Sequence, residues 1–243
     1  MGKRLRIRDR LLLGIAVLGD VSSWAFEGPS LQLGKLKGVL PPNYGNTNFT
    51  QTVSRMLRTG NLEKIIKKGE PYIRITGVGR KALVRDFPIF SLRPKKWDGI
   101  WRIVFYDIPE EQRSKREGLE SKLKELGFGM IQKSVYLTPL NVTDDIREFL
   151  SENNLTDNVF VTVAKQLFAG DPKVLANKTW GLEKINDQYI LINQKILEGN
   201  KIDEIFSDFE EAIRKDPCLP PDLLPADWMG DKVFQEIKEL MKR

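Results

Sequence analysis

Between Asn46 and Ile75 the sequence places a sharply two-sided helix directly ahead of two short strand-like segments, and few folds accommodate that succession. The run Asn46-Thr-Asn-Phe-Thr-Gln-Thr-Val-Ser-Arg-Met-Leu-Arg-Thr-Gly60 sets Phe49, Val53, Met56 and Leu57 on one helical face. Thr47 or Asn48 is the expected cap of its first turn, and Gly60 suits the left-handed backbone that ends a helix. The opposite face carries Thr50, Gln51, Ser54, Arg55 and Arg58. Leu62–Lys67 and Tyr72–Ile75 read as strands, and Lys68-Gly69-Glu70-Pro71 between them is turn chemistry. This puts Lys67 and Lys68 at the tip of a hairpin.

The charge distribution gives that arrangement a direction. The first 96 residues hold 19 Lys/Arg against 6 Asp/Glu, whereas the remainder holds 20 against 27, so the overall +6 conceals a basic head on an acidic body. Like charge at that density opposes compaction unless an anion relieves it, and a nucleic-acid backbone is an anion of matching size. Hydroxyls, an amide and guanidinium groups on one helix face are the donors and acceptors that meet base edges and phosphates in a major groove. The candidate duplex-contacting residues are therefore Thr47, Asn48, Thr50, Gln51, Ser54, Arg55 and Arg58 on the helix and Lys67 and Lys68 on the hairpin.

Elsewhere in the head, Ile7, Leu11, Leu12, Ile15, Ala16 and Leu18 fall at helical spacing. Leu31–Leu40 reads as a further helix, weakened by Gly34 and Gly38 and stopped before Pro41, while residues 24–46 as a whole give no firm pattern. Thr76 opens another helix. Together these predict an N-terminal winged helix-turn-helix over residues 1–92, with a boundary in the charged connector Arg93–Gly99. Next come a strand from Trp101 ended by Pro109, a helix over Glu110–Leu126 and a strand through Ile131, Val135 and Leu137. A helix capped by Thr143 and a strand over Val159–Val163 complete the unit. This β-α-β-α-β order predicts a ferredoxin-like sheet domain over residues 97–167. The tail reads as a helical region over 170–243, with helices at Pro172–Leu197, Ile202–Arg214 and Asp231–Lys242 and an extended prolyl connector at Pro217–Pro225. The fold class is α+β.

Several kinds of chemistry are excluded by composition. There is no histidine, which removes Ser-His-Asp and Cys-His catalysis and histidine-ligated zinc. Cys218 is the only cysteine, so neither an intrachain disulfide nor a cysteine metal cage can form. The apolar run Leu11–Leu18 is too short to span a bilayer, and Arg8, Asp9 and Arg10 interrupt any signal-peptide core, so a cytoplasmic protein without membrane contact is expected. Asp107 closes the first strand of the central unit. A carboxylate there could hold Mg²⁺ together with a second copy's, or simply open the next helix. Trp180, Tyr189 and Trp228 either line a ligand pocket or belong to the core.

Trp97-Asp-Gly-Ile-Trp-Arg-Ile-Val-Phe-Tyr-Asp-Ile-Pro-Glu, Lys124-Glu-Leu-Gly-Phe-Gly and Ser134-Val-Tyr-Leu-Thr-Pro139 resemble the central domain of the phenylacetate-degradation repressor (PaaX) family. Thr52-Val-Ser-Arg-Met-Leu with Tyr72-Ile-Arg-Ile-Thr-Gly-Val-Gly is similar to that family's winged helix. Gly170-Asp-Pro, Trp180-Gly-Leu, Tyr189 and Leu219-Pro-Pro-Asp-Leu-Leu-Pro-Ala-Asp-Trp228 are similar to its C-terminal part. The resemblance implies a dimeric repressor that binds a double-stranded DNA operator and is released by an aryl-CoA or other acyl-CoA thioester, with no required cofactor. It also implies kinship of the central domain with a CRISPR-associated ferredoxin-like nuclease. In that nuclease family the residue matching Asp107 binds the metal, which leaves a metal-dependent nuclease as the alternative function.

Overall fold

The computed structural model describes residues 6–19, 29–41, 44–87, 96–165 and 170–240. The chain divides into two compact units. One comprises Met1–Phe90, Ile185–Lys215 and Trp228–Arg243, and the other Ser91–Lys184 and Asp216–Asp227. The boundary expected at Arg93 lies outside the described residues.

In the first unit, α1 (Ile7–Leu18) is the central helix rather than a one-sided surface helix. Leu11, Leu12, Leu13, Ile15 and Val17 are all fully buried, so its apolar surface goes well beyond the stripe seen in the sequence. The far side is covered by the tail. Ile205, Phe206, Phe209 and Ile213 of α8 (Ile202–Lys215) and Val233 and Ile237 of α9 (Gly230–Leu240) share one hydrophobic cluster with α1. The cluster also takes Phe49, Val53 and Met56 from α2 (Asn46–Arg58). Residues 170–243, expected as a separate helical domain, are thus divided between the two units. An amphipathic helix needs a partner for its apolar face, and α8 finds that partner on α1.

Leu31–Leu40 is not a helix. Ser30–Gln32 forms β1, and Lys35–Val39 forms one 3-10 turn. Leu36 and Val39 are buried at helical spacing, but β1 takes its hydrogen bonds from β3, which no local pattern announces. β2 (Leu62–Lys67) and β3 (Glu70–Ile75) pair antiparallel, and the sheet order is β1-β3-β2. Thr76 caps α3 (Gly77–Asp86), its hydroxyl accepting from the Gly79 amide at 3.2 Å.

The second unit is a four-stranded antiparallel sheet in the order β5-β6-β4-β7. β4 (Trp101–Tyr106) is central and β7 (Val159–Ala164) is at one edge. The single strand expected through Ile131–Leu137 is two strands, β5 (Gly129–Gln132) and β6 (Val135–Thr138). Side-chain alternation continues through Lys133-Ser134, and Ser134 takes the left-handed turn conformation (φ 64°) without being glycine, so the reversal leaves no glycine signal. With α4 (Arg113–Glu125) and α5 (Thr143–Glu152) the order is β-α-β-β-α-β, the ferredoxin-like arrangement with one strand more than expected. Both helices cover the same sheet face, burying Val104, Tyr106, Leu119, Leu123, Tyr136, Ile146 and Leu150. Glu110–Gln112 is a 3-10 turn ahead of α4, and α5 is preceded by Val142, so Thr143 is its first residue and not its cap.

The expected long helix over Pro172–Leu197 is broken at Gly181, whose φ of 66° ends α6 (Pro172–Trp180) before α7 (Leu182–Leu197) begins. The Glu183 amide donates to Asn177 Oδ1 across the break at 3.0 Å. The prolyl connector folds through a 3-10 turn, Pro221–Leu223, with Leu219, Leu223 and Leu224 buried.

Candidate nucleic-acid interface

α2 owes its two-sidedness to a strict partition of side chains. Phe49, Val53 and Met56 face the cluster, whereas Thr47, Asn48, Thr50, Gln51, Ser54, Arg55 and Arg58 are all exposed. The helix starts at Asn46 behind an extended Gly45 and has no side-chain cap. Thr47 and Asn48 therefore lie within the first turn and do not cap it, which leaves their polar groups facing outward. Gly60, with φ 69°, ends the helix as expected.

A concavity of about 660 Å³ runs along the exposed face, lined by Asn48, Thr50, Gln51, Ser54, Arg55 and Arg58 together with Tyr44 and Thr52. It thus gathers all the candidate α2 residues except Thr47. Tyr44 and Thr52 are not among the residues that the sequence pattern singles out. The Tyr44 hydroxyl lies 2.9 Å from Thr52 Oγ1 and 3.4 Å from the Asn48 carbonyl, and Thr52 is buried beneath it. The positions 44, 48 and 52 are spaced by four, and that spacing, continued ahead of the helix start, is their signal in the sequence. The Thr50 hydroxyl donates to the Asn46 carbonyl at 3.0 Å and keeps its lone pairs for a ligand.

The hairpin is closed by two residues, with φ of 51° at Lys68 and 81° at Gly69. Paired positive values are those of a type I′ turn, whose twist matches that of the flanking strands. Lys67 faces Glu70 across the ladder, so Glu70 and Pro71 belong to β3 and not to the turn. The Lys67 ammonium sits 5.9 Å from the Tyr72 ring centre, and Lys68 is exposed. Glu63 and Arg74 pair at 2.9 Å on the same face as Lys67. The unit that carries these groups holds 24 Lys/Arg against 16 Asp/Glu, so the tail helices reduce the surplus of the head without cancelling it.

One cation of the head is neutralised internally. Arg10 is buried, its guanidinium 2.9 Å from Glu210 on α8. It also donates to the Ser207 hydroxyl at 3.1 Å, to the Asp203 carbonyl at 3.3 Å and, through Nε, to the Val39 carbonyl. It lies over the Phe206 ring at 5.4 Å. Burial lowers the Arg10 pKa and Glu210 opposes that shift.

Asp107 stands at the end of β4, exposed, its backbone paired with Asn158. A hard cation needs several oxygen ligands. Among the described residues no group of three or more acidic or thiol side chains is placed to hold one. The nuclease alternative therefore gains no support from the donor set. In the same unit the Tyr106 hydroxyl donates to Glu120 at 2.7 Å, and burial followed by this bond raises its pKa. Trp180 stacks on Trp101 at 6.4 Å within the second unit, whereas Tyr189 meets Trp228 edge-on at 5.4 Å within the first. Each ring packs on a neighbour of its own unit. No described helix is long and apolar enough to cross a membrane.

Comparison with known proteins agrees with these features. Residues 94–176 match the PaaX protein central Cas2-like domain. The transcriptional repressor PaaX of Escherichia coli K12 is 23% identical over 242 aligned residues, spanning 90% of this chain and 75% of that protein. The fold is shared with an uncharacterized protein of Mycobacterium tuberculosis at a TM-score of 0.60 and 18% identity, covering 96% of this chain and 92% of the other. The central-domain match, the likeness to the repressor over 90% of the chain and the motifs in the sequence agree, and residues 94–176 carry a domain similar to the PaaX central Cas2-like domain.

Proposed function

We propose that the chain is a transcriptional repressor that seats the exposed face of α2 in the major groove of a DNA operator, with the β2–β3 hairpin alongside. The carrying observation is the concavity on α2, where hydroxyl, amide and guanidinium groups converge on a basic unit. The likeness to a protein named as a transcriptional repressor supports the same reading. Selection of duplexes from a random pool by the full chain, at stated salt, tests it directly. Arg55→Ala and Arg58→Ala are each expected to weaken operator binding by about 1–3 kcal/mol where the guanidinium reads a base, with relaxed preference at one position. Lys67→Ala and Lys68→Ala should weaken all duplexes alike and lower the salt slope by about one. Unchanged binding in all four variants would refute the reading.

A homodimer belongs to the same proposal, since two copies would present two recognition helices about one helical turn, ~34 Å, apart. The sheet face of the second unit away from α4 and α5 supports it. Phe105 and Phe160 stack there at 5.0 Å and remain 40% and 53% exposed. Phe160→Asp should convert a dimer to a monomer in sedimentation velocity while leaving the thermal transition in place. A wild-type monomer at micromolar concentration would contradict it. On the family likeness, the releasing ligand is proposed to be an acyl-CoA thioester, which should raise the thermal midpoint of the full chain.

A further inference from the structure

Ile66 is a feature of the hairpin that operator contact through lysines leaves unused. Its side chain is 65% exposed, one residue before the end of β2. The ladder register sets Leu62, Lys64 and Ile66 on one sheet face, opposite Ile75, Ile73 and Pro71 in turn. At the base of that face Leu62, Ile73 and Ile75 are buried in the cluster that holds the inner side of α2. The same face continues outward beyond the core, and there Ile66 and Pro71 form an apolar pair. Lys64 and Lys68 are exposed on either side of Ile66, and Lys67 and Glu70 lie on the reverse face. Isolated apolar residues on a surface are ordinary. An isoleucine and a proline facing each other near the end of a projecting hairpin, between two lysines, are a more specific arrangement. The cations select a polyanion as the occupant, because each lysine can meet one of the phosphate strands that border a groove. Ile and Pro are among the side chains that enter the minor groove and part adjacent base pairs.

We propose that Ile66, backed by Pro71, is an apolar wedge that enters the minor groove and partly unstacks one base step. Operator choice then includes the deformability of a step that no side chain reads by hydrogen bonding. This inference rests on the DNA-binding reading. The test uses the full chain and the tightest duplex recovered from a random pool, with wild type, Ile66→Ser and Lys68→Ala. Ile66→Ser should bind about tenfold more weakly, as expected for an aliphatic side chain left in water. Its salt slope should be unchanged, and the bend angle, read by energy transfer between the duplex ends, should fall. Lys68→Ala should do the reverse, lowering the slope and keeping the bend. Replacing the flexible step by an A-tract should penalise wild type and spare Ile66→Ser. Wild-type affinity and bend in Ile66→Ser, at an unchanged thermal midpoint, would overturn the wedge while leaving DNA binding intact. So would a change in self-association in place of duplex affinity. If the wild-type chain enriches no duplex, the DNA-binding reading fails, and the wedge fails with it.

Discussion

Ending the chain after Asn200 should abolish the cooperative unfolding transition of the first unit and all duplex binding with it. The truncation removes α8 and α9, and with them Ile205, Phe206, Phe209, Ile213, Val233 and Ile237 from the cluster around α1. Each such side chain contributes about 1.5–3 kcal/mol on burial, so six contribute on the order of 10 kcal/mol. That rivals the whole stability of a typical domain, about 5–15 kcal/mol. Leu11, Leu12, Leu13, Ile15 and Val17 cannot all find cover when only Ile185, Tyr189 and Ile192 of α7 remain of the tail's share of the cluster. Calorimetry and amide exchange on α1 read the outcome directly. A truncated chain that still melts cooperatively and still binds a duplex would show that α8 and α9 are dispensable. Duplex binding is accordingly a property to test on the full chain, and a silent head fragment would report unfolding and not the absence of a recognition surface.

The second large effect is expected at Arg10. Arg10→Met and Glu210→Gln should each destabilise the first unit by about 3–5 kcal/mol, the range for breaking one partner out of a buried ion pair. Glu210→Gln leaves a buried guanidinium with only neutral acceptors. Arg10→Met leaves a largely buried carboxylate and removes the donor to the carbonyl of Val39, the last residue of the 3-10 turn before α2. The double variant Arg10→Met/Glu210→Met should recover a substantial part of the loss, because apolar groups of similar size replace a pair whose desolvation is costly. Urea titrations with an unchanged slope measure all three. Single losses below about 1 kcal/mol, the range of exposed pairs, would mean that the pair is effectively solvated.

Much of the candidate site was legible because it is local. The four-residue spacing of Phe49, Val53 and the polar residues between them encodes α2 and its exposed face. Lys68-Gly69 encodes the hairpin, since a two-residue turn with positive φ favours glycine. What escaped the sequence depends on distant partners. Ser30–Gln32 is a strand only because β3 lies beside it, and Leu31, Leu36 and Val39 satisfy a helical pattern equally well. The reversal at Lys133-Ser134 is written in a residue that rarely adopts left-handed backbone. Gly181 interrupts a periodicity that continues on both sides of it. Nothing near Arg10 announces a partner 200 residues away.

That separation sets a timetable for the newborn protein. At about 5–20 residues per second, a ribosome needs roughly 10–40 s to travel from the codon for Arg10 to that for Glu210. Throughout that interval the side of α1 that packs on Phe206 and Phe209 lacks its cover, an apolar surface of the kind holdase chaperones bind, while the second unit can fold from mostly contiguous sequence. A polypeptide arranged this way completes the core of its first unit only once translation has passed the tail.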